Sequence, residues 1–341
     1  VTTIDDVARD AGVSKSTVSN VFSKKRPISK EVSNRVLESA RKLEYKPNYW
    51  ARSLVSKETK IIGLSMQGEN TKFGSFHLSL INGVHQTCYK TGYRLLINSV
   101  SNEYLNQVEN QTSDPVDGEI ILDPLVKDRR IEESVKKNRP VVVIGRPPKA
   151  YEARVSYVNN DNAGIARDVT RYLIGLGHRR ILFLNATENS TVWEDRKLGY
   201  QAAHEEAGIP MDDKLVLAND RSSSALLYGL EQTARHLTQD SSITAVIADS
   251  DKTALGVYQA AGSRGCRIPE DLSVFAFSDD SSYSPEFQPP LSGVRMNSEA
   301  LGEEAAKLLL EHCSGQSRSA KRVLIGAELV HRNSCGQASI R

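Results

Sequence analysis

Cysteine is scarce: Cys88, Cys266, Cys313 and Cys335 are the only four in 341 residues, too few and too scattered for a disulfide framework. They form no CxxC pair and no Cys/His metal spacing, so neither a metal nor another cofactor is expected, and free thiols suit a reducing cytoplasm. No run of about 18 apolar residues is present, which excludes a membrane-spanning helix. The opening VTTIDD has no basic segment followed by an apolar stretch, so no secretory signal is expected. The chain also lacks GxxxxGK[ST], GxSxG and HExxH, and no pair of carboxylates stands out from the surface charge. His77, His85, His178, His204, His236, His312 and His331 keep no triad-like company in sequence. These absences argue against an enzyme.

What is present is unevenly distributed. Residues 1–60 carry 13 Lys and Arg against 7 Asp and Glu, a net of +6, while the remaining residues carry 31 against 35, a net of −4. The overall balance of +2 hides this split. A small basic module that meets phosphate, followed by a larger acidic part that does not, fits the pattern, because counterion release rewards only the face touching a polyanion.

The first module is legible residue by residue. Val7, Ala8 and Ala11 give one helix an apolar face, Gly12 supplies a positive-φ corner, Val13 plugs the joint and Ser14 caps a second helix. With Val18 and Val21 turned to the first helix, Lys15, Ser16, Ser19 and Asn20 remain outside, where hydrogen-bonding side chains can meet a major groove. Ser29 opens a third helix running to about Glu44, with Val32, Val36, Ala40 and Leu43 at helical spacing. The helix-turn-helix domain is therefore placed at 1–46, and a hinge and linker at 47–59. Within the hinge, Asn48 can cap the short segment YWARSLV, which is too short to be a stable helix alone.

Beyond Lys60, the apolar runs IIGLSM, YRLLINS, GEIILD, PVVVIG, RILFL, AVIA and SVFAF read as buried parallel strands, each followed by an amphipathic stretch. This is an α/β, doubly wound pattern, dividing near Val158-Asn159-Asn160-Asp161 into two lobes around a cleft, with ligands expected outside the strand carboxyl ends.

The head, TIDDVARDAGVSKSTVSNVF with KPNYWARSL at its end, resembles the LacI/GalR family of bacterial transcription regulators. So do VNNDNAG (158–164), LGHRRI (176–181), RKLGY (196–200), ADSDKTALG (248–256), RIPEDLSV (267–274) and ELVHRNS (328–334), and the resemblance thus spans essentially the whole chain. It implies a small all-α head on a core like periplasmic sugar-binding proteins, interleaved as a first lobe of about 60–160 plus a segment near 291–320, and a second lobe of about 161–290 plus the C-terminal segment. It further implies a homodimer on a pseudo-palindromic double-stranded operator, with no membrane partner. By the same resemblance Lys15, Ser16 and Asn20 read bases, and Thr17 and Ser19 touch phosphate or groove edge. Asn48, Ala51, Arg52 and Leu54 of the hinge also meet DNA, with Leu54 the wedge between base pairs; unstacking a step costs a few kcal/mol, offset by the contacts of the kinked duplex.

The effector expected in the cleft is a small molecule, most often a carbohydrate in this family, although nucleobase-type ligands also occur. Phe73 and Phe76, at the first strand–helix turn, can face a sugar ring or simply pack at a helix start. Arg196 opens a helix after RILFL, where a bidentate guanidinium suits hydroxyls or carboxylate. Trp193, one turn earlier, can stack on a ring or lie over the core. Arg146 can reach the cleft or form a salt bridge. Ser250 and Asp251 follow AVIA, and Ser278 and Asp279 follow SVFAF; Asp251 reads as a helix cap, and Asp279 as a stand-in for the aspartate many relatives carry where Ser278 stands. QGENTKFGSFH (67–77) and NDRSSS (219–224) also depart from the family wording, in loops that contact effector. The competing readings are a free-standing solute-binding protein, which has no use for a basic head, and a sugar-modifying enzyme.

Overall fold

A computed structural model describes residues 2–23, 26–46, 53, 58–66, 73–98, 115–220, 223–279, 282–317 and 319–339. Contacts divide the chain into two units, Val1–Lys60 and Ile61–Arg341, each described by itself.

Among the described residues of the first unit, three helices can be given bounds: α1 (Ile4–Asp10), α2 (Lys15–Ser23) and α3 (Lys30–Lys42). Its core is small: Val7, Ala8, Ala11, Val18, Val36 and Ala40 are buried, with Ile4, Val13, Val21, Phe22, Val32, Leu43 and Tyr45 packed around them. Gly12 turns the chain between α1 and α2 at φ +61°, which a side chain would strain. Side-chain oxygens close the helix starts. Ser14 Oγ accepts the Thr17 N–H at 3.2 Å and Ser29 Oγ accepts that of Val32 at 3.3 Å, each cap contributing about 1 kcal/mol. The third helix stops at Lys42 rather than Glu44, because Glu44 adopts φ +51° and the chain leaves the helix there.

The second unit is two six-stranded sheets. The first lobe contains β1 (Ile61–Ser65), β2 (Arg94–Asn98), β3 (Gly118–Leu122), β4 (Val141–Ile144) and β5 (Ser156–Asn159), with α4 (Ser75–Thr91) and α5 (Arg129–Lys136). The second contains β6 (Ile181–Leu184), β7 (Val216–Leu217), β8 (Ala245–Ala248), β9 (Ser273–Ala276) and β10 (Ser292–Arg295), with α6 (Asn162–Gly175), α7 (Thr191–Glu206), α8 (Ala225–Gln239) and α9 (Asp251–Ser263). The chain then returns to the first lobe as α10 (Ser298–Cys313) and β11 (Arg322–Leu324), and ends in the second as β12 (Glu328–Val330). Strand order is β11-β5-β4-β3-β1-β2 in one sheet and β12-β10-β9-β8-β6-β7 in the other. All neighbours are parallel except β12, which runs antiparallel to β10.

The apolar runs became strands for the expected reason: β4, β6, β8 and β9 are buried at every position, as sheets covered by helices on both faces require. Helices flanking the sheets approach closely at small residues. A Cβ on Gly199 of α7 would stand 2.0 Å from the Ala163 carbonyl oxygen of α6, which explains the glycine in RKLGY. One boundary is corrected. The strand 292–295 pairs with β9 in the second sheet, so the return to the first lobe falls after it, at 296–297, rather than near 291.

Three segments thus cross between lobes, and one side chain ties them together. The Asn160 side-chain amide donates to the carbonyl oxygens of Met296 (3.1 Å) and Ile325 (2.8 Å), one on each of the other two crossings. Asn297, held at φ +49°, donates to Gly326 O at 2.7 Å. No described helix is long and apolar enough to cross a membrane. Among the described residues, no cluster of His, Cys, Asp and Glu could hold a metal ion.

Candidate functional site

On the head, α2 turns Val18 into the core and leaves Lys15 and Ser16 exposed, with Thr17, Ser19 and Asn20 half-buried. The pairs 15/19 and 16/20 are four apart and share a face, as one surface of a recognition helix requires. Lys15 Nζ lies 2.5 Å from Asp5 Oδ1 in a pair open to solvent, so its charge can be handed to a stronger anion at little cost. Ser16 and Thr17 hydroxyls lie 2.8 and 2.9 Å from Ser14 Oγ, tied into the cap that starts the helix. Between α1 and α3, Asp10 accepts from Lys42 Nζ and Ser39 Oγ, both at 2.8 Å, and these bonds hold its carboxyl below the usual carboxylate range. The hinge residues Asn48, Ala51, Arg52 and Leu54 lie outside the described residues.

In the body, Arg196 is the centre of a built site. Its side chain is 8 % exposed, Nη1 donates to Asp249 Oδ1 at 2.5 Å, and the guanidinium lies 4.3 Å over the Phe277 ring. Asp249 follows β8 and Phe277 follows β9, so three elements converge at strand carboxyl ends. Two buried N–H groups of this turn of α7, Arg196 Nε and Trp193 Nε1, meet no acceptor among the described residues. The turn is braced from below. Ser190 Oγ accepts the Trp193 N–H at 3.2 Å, and the buried Asn185 amide donates to Trp193 O at 3.1 Å. Lys197 Nζ approaches the Trp193 ring at 5.4 Å.

Other candidates resolve differently. Phe76 packs against the buried cores of both lobes, while Phe73 remains 45 % exposed beside His77. Arg146 realises its alternative, an ion pair: Nε donates to Asp195 Oδ1 at 2.8 Å and Nη2 to Glu194 Oε2 at 2.9 Å. Burial holds the Asp195 carboxyl above its ordinary range, and the Arg146 charge opposes this. The helix cap is Ser250, which accepts the Thr253 N–H at 3.3 Å; Asp251 is the first helical residue and accepts from Lys252 N at 2.9 Å, so the capping role expected of Asp251 belongs to its neighbour. Ser278 sits half-buried just beyond β9. Asp279 does not stand in for a cleft aspartate: its side chain is fully buried between Arg295 Nη2 (3.0 Å) and Arg332 Nη2 (2.6 Å), binding β9 to the segments around β10 and β12.

Three residues that matter were not singled out from sequence. Asp249 adjoins the Ser250-Asp251 pair and Phe277 lies within SVFAF, so both were within reach of the strand-end argument. Arg130 had no such signal. It donates to Asp128, Ser65 O, Leu122 O and Asp123 O, pinning the loop after β3.

A helix-turn-helix unit joined in one chain to a two-lobed α/β core defines a DNA-binding regulator controlled by a small molecule. Residues 3–48 match the bacterial regulatory proteins of the lacI family, and residues 170–335 match the periplasmic binding protein-like domain. The chain is 31 % identical over 339 residues to the HTH-type transcriptional repressor PurR of Haemophilus influenzae (strain PittEE), covering 97 % of this chain and 98 % of that one. It is 29 % identical over 339 residues to the HTH-type transcriptional regulator CelR of Thermobifida fusca, with the same shares covered. A solved transcriptional regulator CelR–cellobiose complex superposes with a TM-score of 0.75 at 27 % identity, over 98 % of this chain and 100 % of that one. The protein belongs to the LacI family and is a transcriptional regulator with an effector-binding core.

Proposed function

We propose that this regulator is a cytoplasmic, homodimeric repressor that reads a pseudo-palindromic operator with Lys15, Ser16, Thr17, Ser19 and Asn20, together with the hinge residues Asn48, Ala51, Arg52 and Leu54. Its operator affinity is set by a carbohydrate effector held at Arg196 and Trp193, with Asp249, Phe277, Phe76 and Phe73 around it and Ser250, Asp251 and Ser278 at the neighbouring strand ends. The observation that carries the reading is Arg196: a buried cation, oriented by Asp249 and Phe277, with an N–H that meets no acceptor among the described residues. Carboxylate, guanidinium and aromatic face together match the hydroxyls and apolar flank of a sugar ring. The relative that carries cellobiose supports the ligand class.

The outer face of the first lobe supports a dimer. Tyr89 and Leu78 of α4 are 79 % and 54 % exposed, and Leu96 and Ile97 of β2, the last strand of the sheet among the described residues, are exposed as well. A second copy of the chain would cover this apolar surface by two-fold symmetry. Two measurements test the proposal: gel shifts of genomic fragments with and without a sugar panel including cellobiose, and the mass of the free protein in solution. Selective retention of fragments, altered by a sugar, with a dimeric mass is expected. No selective retention, or a response confined to non-carbohydrates, would refute it.

A further inference from the structure

Away from the crossings at 160, 296 and 325, and besides Phe76, which packs on both cores, the two lobes also meet at the start of α7. Leu125 of the first lobe forms an antiparallel bridge with Ser190. Val126 N–H donates to Asn189 O at 2.7 Å, and Thr191 N–H donates to Pro124 O at 3.1 Å. Arg146, on the loop after β4, reaches the next turn of the same helix and grips Glu194 and Asp195.

Both sides of this contact are braced within their own lobe. On the first, Arg130 and Asp128 lock residues 122–128: Asp128 accepts from Leu125 N at 3.2 Å and Arg130 N at 3.0 Å, while Arg130 holds Ser65 O and Leu122 O. On the second, Asn185 and the Arg196–Asp249 pair hold the first turns of α7 to β6 and β8. Arg146 therefore joins two stiff platforms. Its Nε and Nη2 are both committed to carboxylates, one of them 12 % exposed, where solvent screens the attraction less than at an open surface.

We infer that Arg146 is a positioning residue: it holds the turn of α7 that carries Arg196 and Trp193 against the first lobe and so joins the two lobes there. Its significance for effector control rests on the proposed role of Arg196; the joining itself does not. In sequence Arg146 and Asp195 are 49 apart, and only the two-lobed fold brings them together. An effector that displaces α7 has to break this grip, and one that fits around it inherits a preformed site.

The test is amide hydrogen exchange on full-length protein without DNA or sugar. In Arg146→Ala, the Val126 and Thr191 amides should exchange at least tenfold faster, while Ile121, Val143 and Phe183 in the sheets keep their parent rates. Arg146→Lys should restore protection to within about threefold, and Glu194→Gln/Asp195→Asn should reproduce the alanine variant. Unchanged exchange at Val126 and Thr191 would overturn the inference, and so would equal acceleration in the sheets, which reports general destabilisation. Because neither DNA nor ligand is present, failure here leaves the carbohydrate reading standing, and the reverse also holds.

Discussion

Head and body use the same residue types in opposite ways. In the head, Lys15, Arg9 and Lys42 lie on the surface, with side chains 67 %, 80 % and 69 % exposed, in ion pairs open to water. In the body, Arg196, Arg130 and Arg332 are 8 %, 16 % and 16 % exposed and locked to buried or half-buried carboxylates. Charge on these head residues remains available to a polyanion, whereas these three body arginines are committed to carboxylates within the fold, unlike the exposed body pairs of Lys136 and Arg171. For that reason a net of +6 in the first 60 residues is informative and the chain total is not.

The contrast can be broken most severely at Asp279. Asp279→Ala leaves Arg295 and Arg332 facing a site built for an anion, and the body should lose about 3–5 kcal/mol in denaturant unfolding. A loss like that of a surface variant would mean the pair is not structural. Next in size are Lys15→Ala and Asn20→Ala, each expected to cost about 1–3 kcal/mol at the preferred operator and to relax one base position in a randomised-site selection, with unfolding unchanged.

A smaller effect separates the regions by pH. His178 is buried, its ring between Thr244 Oγ1, Ser273 Oγ and Gly336 O, and burial holds its pKa below 6.5. Burial lowers that of His204 likewise. The unfolded chain therefore binds more protons than the folded one as pH falls below about 6.5, and body stability should decline from there until the folded-state values are passed, remaining level above about 7.5. His178→Gln should flatten the slope of urea midpoint against pH; an unaltered slope would show that His178 is not its source. Smallest of all, Lys42→Ala should leave thermal unfolding of the head almost unchanged, since its pair with Asp10 is exposed.

Legibility followed the same division. The helix-turn-helix was readable because its causes are local: Gly12, the caps Ser14 and Ser29, and apolar residues three and four apart. Seven strands were readable as apolar runs. Five were not, namely Ser156–Asn159, Val216–Leu217, Ser292–Arg295, Arg322–Leu324 and Glu328–Val330, because they are two to four residues long and, except for the two-residue Val216–Leu217, carry polar positions, and neighbouring strands rather than their own pattern hold them extended. Arg196 was visible from its place after a strand. Its partners Asp249 and Phe277 lie 53 and 81 positions further on, and the fates of Arg146 and Asp279 are set by contacts 49 and 53 positions away. Pairing over such separations depends on which strand neighbours which, information that periodicity does not hold.

The central claim is that occupancy of the site at Arg196 sets the grip of the head on DNA. The most direct measurement is operator affinity at fixed ionic strength for the parent and Arg196→Lys, each titrated with the sugar that raises the parent's melting temperature most. Equal affinity of the two proteins without sugar is expected, with a ligand-dependent change only in the parent. A sugar that stabilises the body yet leaves operator affinity untouched, or one that shifts both proteins equally, would contradict it.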